Sequence, residues 1–293
     1  MDLSDVIKDK RPNLSASSLK TYKSILMNLY RKCYPADDEI ILKKFENTES
    51  ILNHLREVPY NKRKTTLAAL VVLTGNLEYT KLMNDDIHEY NKNKVLQKQD
   101  GKFDNMLTTK DVEDIFKKIE NDAKHMFKST THSMADLQKI QNYVLLALTS
   151  GLFQAPRRSL DWVMKFRSFD VDKDNYVDLK RKEFVFNVFK TRKDKGQQRI
   201  EISKPLLAIL KKWIGILPTD MDYLLFDGKR NAISPSQITH RLNSIFKKNI
   251  STSMLRHIYL TSRFSTINLK DLIDTSESMG NSPMQSLEYV KNK

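Results

Sequence analysis

Cysteine and glycine are scarce in this chain of 293 residues. The single cysteine, Cys33, excludes an internal disulfide and any zinc site built from several cysteines, and we interpret it as a small half-buried apolar residue rather than a nucleophile. The 7 glycines form neither GxGxxG nor GxxxxGK(S/T). The sequence therefore lacks the fingerprints of Rossmann-type and P-loop nucleotide sites.

Long apolar runs and clustered metal ligands are lacking as well. Apolar stretches such as residues 67–73 are far shorter than the roughly 20 residues that span a membrane, and residues 1–5 do not resemble a signal peptide. The 6 histidines show no HExxH or comparable spacing. We expect an intracellular protein with no membrane association, no bound metal and no cofactor.

Basic side chains, by contrast, are abundant. The chain has 50 Lys and Arg against 36 Asp and Glu, which gives a net charge of +14 and a pI near 9.5. Most of the excess lies in residues 105–293, with 32 basic and 21 acidic side chains, whereas residues 1–104 have 18 and 15. This balance favours a polyanionic partner such as DNA, although a basic surface without a partner is also compatible with the charge alone.

The first part of the chain has the periodicity of helices. Apolar side chains recur at intervals of three and four, which predicts helices at residues 13–30, 45–57, 60–74 and 78–98. Ser15 or Ser17 is the expected N-cap of the first helix. Lys62, Arg63 and Lys64 begin the third, and we predict that they bind the phosphate backbone of DNA. An ordinary exposed helix start would produce the same run.

A polar segment at residues 91–106 predicts a linker, with the domain boundary near residue 104. Beyond it, helices are predicted from the capping box at Thr108 onward and at residues 136–150, 205–215, 235–248, 254–264, 269–276 and 283–290. Alternating apolar residues predict a three-stranded antiparallel sheet at residues 176–179, 183–190 and 199–203, with a basic loop before the last strand. The predicted fold class is mainly α with a small antiparallel β-sheet.

Four groups of polar residues follow one another in the second domain. They are Arg157, Arg158 and Asp161; Lys190, Lys193 and Lys195 between two strands; Ser253, Arg256 and His257 at a helix start; and Gly280, Asn281 and Tyr289 near the end. Each group alone is more simply an ion pair, a structural pair or a packing residue. Their joint order and spacing favour a functional site.

These groups resemble the catalytic domain of the tyrosine recombinase, or phage integrase, family, whose boxes are Gly-Leu-Arg-x-x-Glu, His-x-x-Arg-His and Gly-His-Ser followed by a tyrosine. Arg158 stands three residues before Asp161, which is the family's spacing from arginine to glutamate. Arg256 matches the second arginine, and Tyr289 matches the tyrosine. Residues 11–22 resemble the opening of the family's helical core-binding domain. The resemblance spans almost the whole chain, and its style resembles integrases encoded by large DNA viruses and their mobile elements.

The resemblance implies DNA strand cleavage without a metal. Tyr289 would attack a phosphodiester and remain attached as a 3′-phosphotyrosine, so the bond energy is kept for rejoining. Arg158 and Arg256 would clamp the nonbridging oxygens and stabilise the charge of the transition state. A lysine of the loop would protonate the departing 5′-oxygen.

Lys190 matches the position of the family's lysine best, with Lys193 and Lys195 as alternatives. His257 resembles the family's base or phosphate-orienting histidine. These roles follow from the resemblance alone, and the choice among the three lysines stays open.

Two positions depart from the family pattern. Ser253 stands where a histidine is expected, and Asn281 stands where His or Trp is expected. Ser253 can cap its helix and Asn281 can donate a hydrogen bond, so both are predicted to support the site, but neither accepts a proton at neutral pH as imidazole does. Asp161 is a third supporting residue, and Arg157 is predicted to contact DNA.

We therefore predict a site-specific DNA recombinase or integrase with a core-binding domain at 1–104 and a catalytic domain at 105–293, which together clamp double-stranded DNA. The resemblance implies a homotetramer that exchanges strands through a four-way junction. The alternatives are a DNA-binding clamp that has lost cleavage, a telomere resolvase and a type IB topoisomerase. A metal-dependent nuclease is least favoured. A viral protein of this kind would act in a viral factory or in the host cytoplasm or nucleus.

Overall fold

Two compact units make up the chain, Met1–Gln99 and Asp100–Lys293. The structure is a computed structural model and describes residues 2–95, 107–263, 269–287 and Tyr289. The boundary predicted near residue 104 lies outside these residues, as does most of the predicted linker, whose first residues, 91–95, continue a helix. Within the described ranges, every helix is too short or too polar to span a bilayer.

The first unit is helical. It contains α1 (Leu3–Lys10), α2 (Ala16–Cys33), a 3₁₀ helix (Leu42–Glu46), α3 (Thr48–Leu55), α4 (Tyr60–Thr74) and α5 (Leu77–Val95). Ser15 is the N-cap of α2, because its Oγ accepts the N–H of Ser18 at 3.1 Å. Helix α4 ends at Gly75, whose φ of 68° lets α5 pack back against it. Helix α1, which buries Leu3 and Ile7, was not predicted from the sequence.

The three basic residues at the start of α4 have different surroundings. Lys62 is exposed, as a phosphate contact requires. Arg63 instead forms a bidentate ion pair with the buried Asp86 of α5, with Nη2–Oδ1 at 2.7 Å and Nε–Oδ2 at 2.9 Å. Lys64 lies over the ring of Tyr90. Arg63 therefore ties α4 to α5, and its contact with DNA stays a prediction.

Replacing Arg63 with Met is expected to destabilise the chain by about 3 kcal/mol, because the carboxylate of Asp86 would stay buried without its partner. Lys62→Met is the matched control, since it removes an exposed charge one residue away and should cost under about 0.5 kcal/mol. Urea unfolding of the full chain measures both. Equal midpoints for the two variants would contradict the structural role of Arg63.

The second unit is built around a buried helix. Its helices are α6 (Thr109–Met126), α7 (Met134–Thr149), α8 (Arg192–Lys195), α9 (Lys204–Ile216), α10 (Pro235–Phe246), α11 (Thr252–Arg263), α12 (Leu269–Ser278) and α13 (Pro283–Leu287), with a 3₁₀ helix at Ser159–Trp162. Side chains on every face of α7 are buried, and α6, α9 and α10 pack against it. Capping boxes at Thr108 and Ser133 begin α6 and α7. This core supports the loops that carry the predicted site.

The sheet has four strands in the order β1-β2-β3-β4: β1 (Met164–Lys165), β2 (Asn175–Asp178), β3 (Glu183–Phe186) and β4 (Gln198–Glu201). Strands β2, β3 and β4 are antiparallel, as predicted, with Phe184 opposite both Val177 and Ile200. Strand β1 pairs with β2 in parallel and was not predicted, because two residues are too short for an alternating pattern. The predicted fold class is confirmed, although the sheet is mixed rather than purely antiparallel.

Candidate active site

A turn after α12 positions the polar groups at the centre of the predicted site. The N–H of Gly280 donates to the carbonyl of Glu277 at 2.9 Å, and the N–H of Asn281 donates to the carbonyl of Ser276 at 2.8 Å. This pair of bonds is a Schellman motif, and the φ of 65° at Gly280 meets its requirement for a left-handed residue. The turn fixes Asn281 next to the guanidinium groups of two arginines.

Arg158 and Arg256 converge on one acceptor, the side-chain oxygen of Asn281. Nη2 of Arg158 donates to Oδ1 of Asn281 at 2.9 Å, and Nη2 of Arg256 donates to the same atom. Arg158 is half-buried and also donates to the carbonyl of Gly280 at 3.1 Å. Two cationic donors directed at a single neutral oxygen form an arrangement that an anionic oxygen could occupy.

Arg256 is fully buried in the first turns of α11. Burial lowers the pKa of its guanidinium from the usual value, because desolvation disfavours the charged form. Arginine nevertheless stays protonated in proteins. Its Nε has no hydrogen-bond partner within the described part of the chain, so a buried donor is left over.

Tyr289 lies against both residues of the Arg-His pair. Its hydroxyl accepts a hydrogen bond from Nη1 of Arg256 at 3.3 Å, and the guanidinium lies 4.9 Å from the ring centroid. The ring of His257 is 4.3 Å from that of Tyr289, and its Nδ1 donates to the backbone carbonyl of Tyr289 at 2.9 Å. This bond fixes the tautomer, which leaves Nε2 as the acceptor of the neutral ring.

Of the three candidate lysines, the structure brings Lys195 to this cluster. Lys190 and Lys193 are exposed, whereas Lys195 is half-buried and its Nζ donates to the carbonyl of Asn281 at 2.7 Å. The short helix α8 turns the chain between β3 and β4 and carries Lys195 inward. The geometry therefore favours the alternative Lys195 over the first choice, Lys190.

Arg157 is not placed to contact DNA, because its side chain is 1% exposed. Its Nε forms an ion pair with Oδ2 of Asp161 at 2.8 Å, and its other nitrogens donate to the carbonyl of Ser278 and to Oε1 of Gln198. Phe186 lies 3.9 Å below the guanidinium. These contacts correct the assignment of Arg157 to DNA and make it a support for the turn after α12.

Asp161 is fully buried and serves as the carboxylate of this arginine cluster. Burial raises its pKa, and the guanidinium of Arg157 opposes that effect. Its Oδ1 has no hydrogen-bond partner within the described residues. Arg157, four residues earlier in the chain, forms the ion pair with Asp161, and Arg158 does not.

Ser253 is exposed and is the second residue of α11. It does not cap the helix as expected. The hydroxyl of Ser251 instead accepts the N–H of Met254 at 3.3 Å. Ser253 therefore takes no part in the cluster around Asn281.

Gln285 and Thr191 also contact this cluster, although neither was predicted from the sequence. Oε1 of Gln285 accepts a hydrogen bond from Nη2 of Arg158 at 3.2 Å, and the hydroxyl of Thr191 donates to the carbonyl of Gly280 at 3.1 Å. The sequence could have indicated Gln285, because it stands three residues after Ser282, the N-cap of α13. This spacing places Gln285 in the first turn of that helix, close to Asn281. Thr191 has no comparable signal.

Replacing Gly280 with Ala is expected to destabilise the chain by about 1–2 kcal/mol, because the left-handed conformation disfavours a side chain. The added Cβ would also lie 3.0 Å from Nη2 of Arg157. Gly228→Ala is the matched control, since nothing lies within 4 Å of its Cβ position and its φ is not positive. Thermal unfolding measures both, and equal stability of the two variants would contradict the strain at Gly280.

Comparison with solved structures finds chains that are similar to this one. In a solved structure described as "Crystal structure of XerA recombinase", the matched chain is 15% identical, with a TM-score of 0.47, and the match covers 99% of this chain and 93% of the other. No protein-family model matches the sequence, and no curated protein matches it. A likeness at this level leaves the activity to be judged from the residues of the site.

Proposed function

We propose that this chain is a site-specific DNA recombinase or integrase that cuts and rejoins strands through a phosphotyrosine at Tyr289. One observation carries the proposal: Arg158 and Arg256 converge on the side-chain oxygen of Asn281, next to the hydroxyl of Tyr289. A phosphate oxygen in the place of that amide oxygen would receive the same two charged donors. The hydroxyl that Arg256 already binds would then stand beside the phosphorus.

The reaction needs only groups of this cluster. Oη of Tyr289 attacks phosphorus as its proton passes to Nε2 of His257, and the bond from phosphorus to the 5′-oxygen breaks. Lys195 donates the proton that the departing 5′-oxygen takes up. The 3′-oxygen keeps its bond to phosphorus, so attack by a 5′-hydroxyl reverses the step and restores the phosphodiester. Arg158 and Arg256 stabilise the added negative charge of the transition state.

Covalent trapping tests this proposal. We would incubate the protein, with chelator, on nicked suicide duplexes drawn from the DNA that flanks its gene. The wild type is expected to give a denaturation-resistant protein–DNA band whose modified peptide contains Tyr289. Tyr289→Phe should give none, and the matched Tyr259→Phe should keep the band, because the Tyr259 hydroxyl bonds Arg263 outside the cluster.

The other outcomes separate the alternatives. Tight, salt-sensitive binding without a band from any fragment would favour a clamp that has lost cleavage, with Asn281 in place of an acid-base residue. Relaxation of supercoiled DNA without a preferred site would favour a type IB topoisomerase. A band that Tyr289→Phe retains would refute the assignment of the nucleophile.

Double-stranded DNA is the partner that we propose, with a homotetramer as the working assembly on it. A viral or mobile-element origin, with action in a viral factory, the host cytoplasm or the nucleus, belongs to the same proposal. Sedimentation of the protein with and without its trapped duplex tests the assembly. A DNA-bound monomer that carries out complete strand exchange would contradict the tetramer.

A further inference from the structure

A groove lies between the C-terminal ends of α6 and α9, on residues that take no part in the candidate active site. Both helices pack against α7, and the open groove between them has a volume of about 700 Å³. Phe127 and Ile216 are half-buried in it, and Phe127 contacts the ring of Tyr143 below. The groove therefore has an apolar floor and a volume of the size that ligand sites have.

The rim of the groove carries charge of one sign. Lys124 and Lys128 line it from the side of α6, Lys211 and Lys212 line it from α9, and none of the lining residues is acidic. Lys124 is paired with Glu120 at 3.0 Å. Among the described residues, no carboxylate lies within ion-pair distance of the other three. Three of the four exposed lysines around this apolar floor thus have no counter-charge among the described residues.

Gly215 lines the groove from the last turn of α9. It lies inside α9, where glycine is less favourable than alanine, and its φ is not positive. A Cβ there would meet no atom within 4 Å, so neither packing nor backbone conformation requires glycine. What a Cβ would change is the space in the groove, since Gly215 lines it.

We propose that this groove binds an acidic peptide segment of a partner protein. An apolar side chain of the segment would fill the floor over Phe127, Gly215 and Ile216, while its carboxylates would pair with the lysines of the rim. Charge complementarity selects the acidic partner. The apolar floor favours a peptide over duplex DNA, because a phosphate backbone has nothing apolar to place there. The proposal does not depend on DNA cleavage by Tyr289.

Fluorescence anisotropy with a panel of labelled peptides tests the proposal. Each 12-residue peptide carries six Asp or Glu around one central Leu, Phe or Trp, and each has a partner of equal charge with Ser at the centre. At least one apolar member is expected to bind the full chain with a Kd below about 100 µM and at least tenfold more tightly than its Ser partner. Absence of such a member would overturn the proposal.

Two variants locate the binding. Lys211→Glu with Lys212→Glu is expected to weaken it about tenfold or more, whereas Lys180→Glu with Lys229→Glu, an equal change of charge at exposed residues outside the groove, should alter it less than about twofold. Gly215→Ala should also weaken binding while it raises the thermal unfolding midpoint by about 1–3 °C, because alanine favours the helix. A loss of peptide affinity together with a higher unfolding midpoint would exclude misfolding as the cause of the weaker binding.

Other occupants would give different results, and each would overturn the proposal. Equal loss of peptide affinity in both double variants would mean that only overall charge matters. Tighter binding of a 20-bp duplex than of every peptide, lost with the Lys211 and Lys212 variant, would make the groove a DNA contact. Self-association of the wild type that this variant abolishes would make the occupant a second copy of this chain.

Discussion

Replacing Arg256 with lysine is expected to slow formation of the covalent protein–DNA adduct by about 10³-fold at saturating duplex. Lysine keeps the positive charge, but it cannot supply the fork of donors that reaches both Asn281 and the Tyr289 hydroxyl. The affinity for duplex should fall far less than the rate, since many other basic residues contribute to nonspecific binding. Such a split is typical of a residue that acts mainly in the transition state.

Single-turnover trapping on a suicide duplex gives the rate, and anisotropy gives the affinity. Arg263→Lys is the matched control on the same helix, because Arg263 pairs at the surface with Asp271 and lies outside the cluster. Its rate should stay within about twofold of the wild type. If Arg256→Lys keeps more than a tenth of the wild-type rate, the clamp that we assign to this arginine is wrong.

Asp161→Asn is expected to destabilise the second unit by about 3–5 kcal/mol, which makes it the largest effect on stability. The ion pair between Asp161 and Arg157 is fully buried, and the variant would leave the guanidinium there without its carboxylate. The nearby charges of Arg158 and Arg256 increase the cost, because both also favour the ionised carboxylate. The urea unfolding midpoint of the full chain measures the loss.

Two comparisons separate this effect from a general sensitivity to charge. Asp220→Asn removes the carboxylate of an exposed pair with Arg230, 2.7 Å long, and should cost under about 1 kcal/mol. The double variant Asp161→Asn with Arg157→Met should recover much of the lost stability, because no charge is left buried without a partner. If the double variant is as unstable as Asp161→Asn alone, the charge imbalance is not the cause.

Much of the fold can be predicted because its long helices carry local signals. The predicted helix at 60–74 matches α4, and the capping boxes at Thr108 and Ser234 mark the starts of α6 and α10. The eight residues of α1 and the two of β1 are too short for periodicity to distinguish them from loops. Their positions depend on contacts with distant parts of the chain, which spacing does not encode.

In the candidate site, spacing predicts which segments meet but not which of two adjacent side chains faces inward. Arg158 has an extended backbone, so consecutive side chains point in opposite directions. Arg157 is thereby buried with Asp161 while Arg158 reaches Asn281. The choice among the loop lysines likewise depends on helix α8, since four residues are too few to predict.

Three cationic side chains donate hydrogen bonds to carbonyl oxygens of the turn after α12. Arg157 binds the carbonyl of Ser278, Arg158 that of Gly280 and Lys195 that of Asn281. Donors have a finite capacity, so an anion that recruits Arg158 or Lys195 takes hydrogen bonds away from the backbone of the turn. Anion binding and the ordered turn therefore oppose each other. Binding of an anion makes the ordered turn less stable, and the ordered turn lowers the affinity for the anion. Loading the site with a phosphate is therefore expected to weaken the hydrogen bonds that Arg158 and Lys195 make to the turn before Tyr289.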